Sequence, residues 1–469
     1  MDELANTLVW GFCGPIGAAI VKELGRQGLG VSEWISDQPG SQNIWDFLLG
    51  RLDAVEKDPE SLIQYESFYE SHFEDYLVMI TRRGLSYATL HEAMNEFSLA
   101  YHYFSGLLRR KKIALVLFEN MPHEGQDFVL YHLATRIGIK TLICYQTLFE
   151  DKFFMVTAMD DLGPFRSAPE LFDGKRVALA PGYRQQSVNM DGFNLADGPG
   201  GAHLPSWAGR VLASGSARFA SLLRSPMRSA KERIKSALVK NSAPNLQKSY
   251  VRRLSEHALD NRAVDELIAG RQKFVYFPLH LQPELTTATF GGMYQDQLYA
   301  IELLSALLKE GWMILVKENP KQTFFQRGEL FFRRLRALDN VYLVGGTYST
   351  YRLLEGSQFT ATISGTACWE ALKGGKKCLI FGQAWYSSLP GCFTFREDFD
   401  FDGFLAATRQ PVPFEELHEA FGRLMSKAGD GVIDKDYSCL VAGFDVEANA
   451  KKVAGSVMQV LRSAKTRRA

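Results

Sequence analysis

The sequence lacks the features that would place the protein in or across a membrane. It contains no run of about 18 uncharged apolar residues, so no membrane-spanning helix is expected. Its first residues lack the basic start and the apolar core of a secretory signal. Its six cysteines are scattered without a CxxC pair, which argues against a disulfide framework and a zinc site. These absences favour a cytoplasmic protein with reduced thiols.

The sequence also lacks a full GxGxxG motif and any long-range internal repeat. Gly14 and Gly17 follow a predicted strand at 7–12 and open a predicted helix, but Pro15 removes one backbone donor there. Glycines at a helix start let backbone N–H groups approach an anion. Ligand contact is therefore one interpretation of this turn, and a simple tight turn between strand and helix is the other.

What the sequence does contain is a series of apolar strands, each ending in a polar turn. Strands are predicted at 7–12, 113–118, 141–144, 274–277, 312–316, 359–363 and 377–381, with helices between them. Strand, polar turn, helix and strand is the pattern of a parallel α/β sheet. In such sheets ligands bind at the carboxyl ends of the strands, where the polar residues of this chain also lie.

The pattern predicts an α/β fold with two Rossmann-like lobes. The predicted boundaries are 1–185 for an acceptor or catalytic lobe, 186–265 for a loop and basic helical connector, 266–412 for a nucleotide-sugar lobe, and 413–469 for terminal helices and a basic tail. Residues 43–110 read as aromatic-rich helices packed in a core. The histidines on these helices lack the spacing of metal ligands.

Four chemically active side chains crowd the end of the 113–118 strand. Glu119, His123, Glu124 and Asp127 follow it directly. Glu124 and Asp127 can cap the helix that comes next, because anions are favoured at a helix N-terminus. Capping requires one such residue, so the surplus suggests a catalytic or acceptor-binding role for at least one of the four.

The strand ends of the 266–412 region carry groups suited to a nucleotide sugar. Lys317 can pair with a phosphate, and Ser364, Gly365 and Thr366 offer hydroxyl and N–H groups at a helix start. Glu370, one turn deeper, can bind a sugar hydroxyl or pair with a lysine on its own helix. A further polar strand end holds three residues: His280, Gln282 and Glu284. No DxD pair follows these predicted strands, which predicts a metal-independent enzyme without a cofactor.

A basic segment interrupts the otherwise acidic chain. Between Arg210 and Arg253 there are eleven Lys or Arg residues and one acid, while the whole chain has zero net charge. From 207 onward, apolar residues recur at roughly helical spacing among these charges. Residues 207–253 fit either an inner-membrane surface, as in a peripheral protein, or a solvated connector. Nucleic acid is a poor fit because no stacking aromatics are interleaved.

Several of these motifs together resemble the bacterial capsule polysaccharide biosynthesis family, which includes the retaining β-Kdo transferases. The resemblance is carried by 277–284, 317–320, 364–371 and 381–386, with 120–127 resembling the strand end of the family's N-terminal lobe. It implies a GT-B-like glycosyltransferase with a CMP-linked donor. The chain has Asn319 and Pro320 where related CMP-sugar transferases have His-Pro, and Asn319 can donate a hydrogen bond but adds no charge.

The resulting hypothesis is a glycosyltransferase of capsule or lipopolysaccharide biosynthesis. It would move a sugar, Kdo being the family's example, from a CMP-linked nucleotide sugar to a glycan or glycolipid acceptor. Asp127 or Glu124 would be nucleophile or base, with His123 orienting the group. Two alternatives stay open, namely a GT-B-like nucleotide-sugar epimerase and a non-catalytic glycolipid-binding scaffold of an assembly complex.

Overall fold

The structure, a computed structural model, describes eight stretches of the chain. They are residues 6–48, 59–80, 89–149, 151–166, 168–171, 179–183, 245–324 and 327–466. Helices alternate with strands, and the strands form two mostly parallel seven-stranded sheets, which confirms the predicted α/β class. The loop at 186–205 lies outside the described residues. Most of the basic segment does too, but residues 245–257 form a helix.

The first sheet has the strand order β14-β6-β5-β4-β1-β2-β3. Its strands are β1 (Thr7–Trp10), β2 (Val31–Ser36), β3 (Gln42–Asn43), β4 (Leu115–Phe118), β5 (Lys140–Gln146), β6 (Lys152–Val156) and β14 (Gly429–Asp430). β6 runs antiparallel to both β5 and β14, and the other pairings are parallel. The carboxyl ends of β1 and β4 therefore lie side by side, with Trp10 opposite Phe118.

The second sheet has the strand order β13-β12-β11-β8-β9-β10-β7. Its strands are β7 (Ala258–Leu259), β8 (Phe274–Pro278), β9 (Met313–Lys317), β10 (Val341–Val344), β11 (Phe359–Thr362), β12 (Cys378–Ile380) and β13 (Cys392–Thr394). The pairings β8–β9, β9–β10, β10–β7, β11–β12 and β12–β13 are all parallel. The four predicted strands of this region are confirmed, and β7, β10 and β13 are additional.

The helices are numbered in chain order. They are α1 (Gly14–Arg26), α2 (Ile44–Leu48), α3 (Pro59–Ile80), α4 (Leu90–Arg110), α5 (Gln126–Arg136), α6 (245–257), α7 (Asn261–Ala269), α8 (Leu285–Ala288), α9 (Gln297–Leu307), α10 (Glu329–Arg336), α11 (Thr350–Gly356), α12 (Thr366–Lys373), α13 (Phe401–Ala407), α14 (Phe414–Met425) and α15 (Val446–Thr466). In α1, Ile16, Ile20 and Leu24 recur every four positions and are buried. This apolar stripe explains why α1 packs in the core and contacts α15.

The aromatic residues of α3 and α4 form a packed core, as predicted. Phe68, Phe97 and Tyr101 are completely buried. The ring of Phe97 lies 4.9 Å from that of Tyr76 in an edge-to-face arrangement, a geometry that adds to the stabilisation from burial. No helix in the described part of the chain is both long and apolar enough to cross a bilayer.

Contacts divide the chain into two compact units. The first comprises residues 1–188, 283–297 and 357–469, and the second comprises 189–282 and 298–356. The first unit contains the whole first sheet together with β11, β12 and β13. The second contains β7 to β10. The boundaries at residues 185, 265 and 412 stay a prediction.

Candidate functional site

The turn between β1 and α1 is a tight loop whose N–H groups bind carboxylates of the chain itself. Gly11, Phe12 and Gly14 all have positive φ, at 84°, 53° and 70°. The N–H of Phe12 donates to Glu119 Oε2 at 2.6 Å, and the N–H of Gly14 donates to Asp37 Oδ1 at 2.8 Å. A Cβ on Gly11 would lie 2.6 Å from Glu119 Oε2, so this turn requires glycine. These contacts favour the tight-turn interpretation.

Glu119 follows β4 and is a partly exposed acid with a raised pKa. Burial raises its pKa to about 8, and the negative charges of Asp434 and Asp37 act in the same direction. The hydrogen bonds from Phe12 and Cys13 oppose this shift without overcoming it. A carboxyl group with such a pKa can act as a proton donor. Sequence reasoning missed Asp37 and Asp434, because they reach Glu119 from distant segments.

Asp127 lies at the start of α5 and is almost completely buried. Its carboxylate accepts the N–H of His123 at 2.9 Å, and the N–H groups of Glu124 and Phe128 at 2.8 Å each. Burial raises the pKa of Asp127. The carboxylate is therefore committed to the loop that precedes α5, which is the capping interpretation of this residue.

His123 and Glu124 form a more accessible pair in the same loop. His123 Nδ1 contacts the carbonyl oxygen of Met121, and His123 Nε2 lies 3.3 Å from Glu124 Oε1. The side chain of Glu124 is 36% exposed. A carbonyl oxygen can only accept a hydrogen bond, so Nδ1 is the donor in this contact. The other ring nitrogen, Nε2, is the one that faces the Glu124 carboxylate. The loop thus groups three of the four predicted catalytic residues, while Glu119 faces the β1–α1 turn.

A glycine fixes the path of this loop. Gly125 has φ of 94°, and a Cβ there would lie 2.8 Å from Ile80 Cγ2 and 3.0 Å from Tyr76 Cε2. Any other residue would collide with α3 and strain the backbone. The close approach of Gly125 to α3 therefore sets where His123 and Glu124 lie.

In the second unit, Lys317 is already hydrogen-bonded within the protein. Its Nζ donates to the carbonyl oxygen of Tyr348 at 2.6 Å and to Thr350 Oγ1 at 3.0 Å. Burial lowers the pKa of Lys317. Asn319 Oδ1 accepts the N–H of Lys321 at 2.9 Å and so shapes a turn. The neighbouring Pro320 is exposed.

His280 and Gln282 belong to a buried polar network that the sequence did not reveal. The Arg327 side chain donates from Nη1 to Gln282 Oε1 at 2.6 Å and from Nη2 to the His280 carbonyl at 3.3 Å. Burial lowers the pKa of His280 to about 4, and the Arg327 charge contributes. Arg327 also pairs with Glu318 at 2.8 Å. The sequence did not predict this ion pair, because no local pattern connects Arg327 with a residue nine positions earlier in the chain.

In the first unit, four predicted donor residues lie at the start of α12, after β11. Ser364 Oγ donates to the Thr286 carbonyl at 2.7 Å, Gly365 is the N-cap residue, and Thr366 is exposed at the first helical position. Glu370 is 7% exposed. Burial raises its pKa to about 7, and the charge of Lys373 opposes the shift.

Glu284 directly precedes the helix whose Thr286 carbonyl accepts the hydrogen bond from Ser364. It is the N-cap residue of the short helix α8. Its N–H donates to Thr287 Oγ1 at 3.4 Å, and Thr287 Oγ1 in turn donates to the Glu284 carbonyl at 3.1 Å. These contacts assign Glu284 a local role in starting this helix.

The segment 381–386, one of those that carry the family resemblance, has a structural role. Trp385 packs 5.1 Å from the ring of Trp369, and the Tyr386 hydroxyl donates to the Gly365 carbonyl. Gln383 Nε2 donates to the carbonyls of Met159 at 2.6 Å and Leu162 at 2.9 Å. Residues 381–386 therefore connect the start of α12 to the segment 159–162, which follows β6 in the first sheet.

Literal DxD patterns occur in two segments, although neither segment follows a predicted strand. The segment 398–402 contains two overlapping patterns, and its Asp400 caps α13 by accepting the N–H of Gly403 at 2.9 Å. The other is formed by Asp434 and Asp436, and Asp434 accepts the N–H of Asp436 at 2.9 Å. Among the described residues, no group of three or more His, Cys, Asp or Glu side chains has metal-binding geometry. Metal independence stays a prediction.

No protein-family model and no curated protein matches the sequence. Among solved structures, the chain is similar to KpsC β-Kdo 2,7-transferase from Thermosulfurimonas dismutans, with 13% identity, a TM-score of 0.25, and coverage of 45% of this chain and 65% of that one. The β-Kdo 2,4-transferase of the same organism has 10% identity, a TM-score of 0.28, and coverage of 68% and 79%.

Similarity extends to two other kinds of enzyme. UDP-GlcNAc 2-epimerase from Neisseria meningitidis has 12% identity, a TM-score of 0.23, and coverage of 97% of this chain and 100% of that one. A UDP-forming trehalose-phosphate synthase from Burkholderia vietnamiensis has 11% identity, a TM-score of 0.30, and coverage of 98% and 100%. At these scores, the fold assignment rests on the two sheets themselves.

Proposed function

We propose that this protein is a glycosyltransferase that moves a sugar from a CMP-linked donor to a glycan or glycolipid acceptor in bacterial surface polysaccharide assembly. The observation that carries the proposal is the chemistry at two strand ends of the first unit. Partly exposed acid–base groups follow β4, and an exposed hydroxyl at a helix start follows β11. Sugar transfer requires these two elements, namely proton management at the acceptor and stabilisation of the leaving phosphate.

The donor end of the proposal rests on the start of α12. The exposed Thr366 hydroxyl and the first N–H groups of this helix suit a phosphate, because the helix dipole favours anions there. Glu370 lies one turn deeper, where its carboxyl can bind a ribose or sugar hydroxyl. In the second unit, taken by itself, Glu318 pairs with Arg327 and Lys317 is hydrogen-bonded within the protein, so these two cations favour a single phosphate over a diphosphate.

The acceptor end rests on Glu124, His123 and Glu119. In an inverting reaction, the Glu124 carboxylate would take the acceptor hydroxyl proton while the acceptor oxygen bonds to the anomeric carbon, the bond from that carbon to phosphate breaks and CMP leaves. In a retaining reaction, a carboxylate would first attack the anomeric carbon and displace CMP, and the acceptor oxygen would then displace the carboxylate. The anomeric configuration of the product distinguishes these two courses. Asp127 is the weaker candidate, because its oxygens already accept three backbone N–H groups.

The test is a thermal-shift screen of the purified protein against CMP, CDP, UDP and GDP. A ligand at one hundred times its dissociation constant stabilises the folded state by about 2.7 kcal/mol. We expect CMP to stabilise the protein most, and Thr366→Val to reduce the shift without lowering the melting temperature of the free protein. Lys317→Ala should reduce it too, although this variant also loses two internal hydrogen bonds.

Other outcomes of the screen would favour the alternatives. Preference for UDP would contradict the CMP-linked donor, and conversion of a UDP-sugar without acceptor would indicate an epimerase. No stabilisation by any nucleotide would favour the scaffold. Peripheral membrane association through 207–253 is a separate part of the proposal, and its test is co-sedimentation with phosphatidylglycerol vesicles, which should fail when the basic residues are replaced by glutamine.

A further inference from the structure

Arg327 lies at the centre of the buried polar network in the second unit. Its side chain is 1% exposed and that of its partner Glu318 is 4% exposed. The guanidinium donates from Nε to Glu318 Oε2 at 2.8 Å and from Nη1 to Gln282 Oε1 at 2.6 Å. Its planar group also lies 4.8 Å from the ring centre of Phe331. A planar guanidinium whose N–H groups are held by several hydrogen bonds has a single well-defined position.

This network joins the turns that follow two neighbouring strands. The turn after β8 is held through Gln282 and through the carbonyl of His280, which accepts from Arg327 Nη2. The turn after β9 is held through Glu318, whose Oε1 accepts the N–H of Asn319 at 2.8 Å. Arg327 therefore contacts both turns directly, the second one through the side chain of Glu318.

Gln322 adds a second link between the same two turns. Its Oε1 accepts the N–H of Gln282 at 2.8 Å, and its Nε2 donates to the Gln282 carbonyl at 3.2 Å. A side-chain amide that bonds both the N–H and the C=O of one residue imitates a neighbouring strand. The turn after β8 is thus fixed at its backbone by Gln322 and at its side chain by Arg327.

We infer that Arg327 is a positioning residue for the nucleotide-sugar donor, an inference that rests on the proposed function. It sets the conformation of the turns at 280–282 and 318–320, which hold four of the predicted donor residues. The guanidinium does not bind phosphate itself, because Glu318 neutralises it and burial keeps it from solvent. Its contribution is to hold His280, Gln282 and Asn319 in one arrangement before the donor arrives.

The test compares Arg327→Lys with two matched controls in the same unit. Lysine keeps the charge but cannot make the forked contacts to Glu318, Gln282 and the His280 carbonyl together. Arg334→Lys makes the same change in a more exposed pair, where Arg334 lies 2.7 Å from Glu302. Gly356→Ala perturbs the packing elsewhere, since a Cβ there would lie 3.1 Å from Phe274 Cζ.

The measurements are the dissociation constant of CMP by calorimetry, the KM and kcat for donor in a transfer assay, and the melting temperature. We expect Arg327→Lys to weaken CMP binding and to raise the donor KM by about tenfold or more, with kcat within about threefold. Arg334→Lys should change none of these values. Gly356→Ala should lower the melting temperature while CMP affinity and KM stay unchanged.

A second variant keeps the inference open to contradiction if Arg327→Lys does not fold. The double variant Glu318→Gln, Arg327→Met removes both charges together, so that no unpaired charge is buried, and it should also bind CMP weakly. Wild-type CMP affinity and KM in either folded variant would overturn the positioning role alone. A wild-type protein that binds no nucleotide would instead overturn the proposed function, and this inference with it.

Discussion

The Glu119 carboxylate accepts the backbone N–H of Phe12 at 2.6 Å, although 107 positions separate the two residues in the chain. The contact joins the carboxyl ends of β1 and β4, which are neighbouring parallel strands. In this glycine turn, N–H groups that could otherwise bind a phosphate donate instead to the carboxyl group of Glu119. The contact also places an acid with an elevated pKa at the strand end where the acid–base groups gather.

The raised pKa of Glu119 predicts a specific dependence of stability on pH. The pKa rises from 4.5 to about 8 on folding, so the stabilising contribution of this group is complete below pH 4.5 and is lost as the pH rises through about 8. Glu119→Gln cannot ionise. The melting temperature of the wild type relative to this variant should therefore fall between about pH 5 and about pH 9. A constant difference would show that Glu119 has an ordinary pKa.

Asp127 and Glu124 should separate into a structural and a functional residue. Asp127→Ala removes a buried acceptor of three N–H groups and should cost about 1–3 kcal/mol of unfolding free energy, measured by urea denaturation. Glu124→Gln should leave that free energy nearly unchanged and slow sugar transfer by about 100-fold or more. The reverse pattern, with Asp127→Asn stable but inactive, would identify Asp127 as the reacting carboxylate.

Gly125→Ala should destabilise the protein by about 1–3 kcal/mol through backbone strain and collision with α3. Two other glycines provide controls. Gly28 has φ of 101° but no atom within 4 Å of an added Cβ, so Gly28→Ala isolates the backbone strain. Gly25 lies inside α1 with open space around it, and Gly25→Ala should be neutral or slightly stabilising. Equal effects of the substitutions at 125 and 28 would show that the contact with Ile80 and Tyr76 is unimportant.

The stacked pair of His72 and His132 should make the protein sensitive to acid. Their ring centres lie 4.1 Å apart, and burial, with a contribution from His72, lowers the pKa of His132 to about 3. Burial also lowers the pKa of His72, with Arg136 contributing. The folded state binds fewer protons than the unfolded state below about pH 6.5, so stability is lost as the pH falls.

His132→Phe keeps a ring in the stack and removes one titrating group. As the pH falls from about 7 to about 5, the melting temperature of this variant should rise relative to that of the wild type. His91→Phe is the matched control, because His91 is exposed, and it should show no such trend. A parallel fall of the melting temperatures of wild type and His132→Phe would exclude a role for this partly buried pair.

Much of the architecture could be predicted from the sequence, because it depends on local patterns. The apolar runs at 113–118 and 274–277 predict strands, and the four-residue spacing of Ile16, Ile20 and Leu24 predicts a helix. The confirmed positions of β4 and β8 follow from these continuous apolar runs, and that of α1 follows from its helical spacing. The short edge strands were missed, because two residues such as Gly429 and Asp430 form a strand only when a partner is present.

The sequence by itself determined where polar residues meet strand ends, and hence which segments are candidates for a site. The tertiary structure decided which of those residues are accessible. Asp127 and Glu124 are three positions apart and chemically alike, yet one is buried under backbone N–H groups and the other is partly exposed. The pairing of Glu318 with Arg327 and the acids around Glu119 also arise from contacts between distant segments. Burial and long-range charge set these properties, and neither is encoded in local spacing.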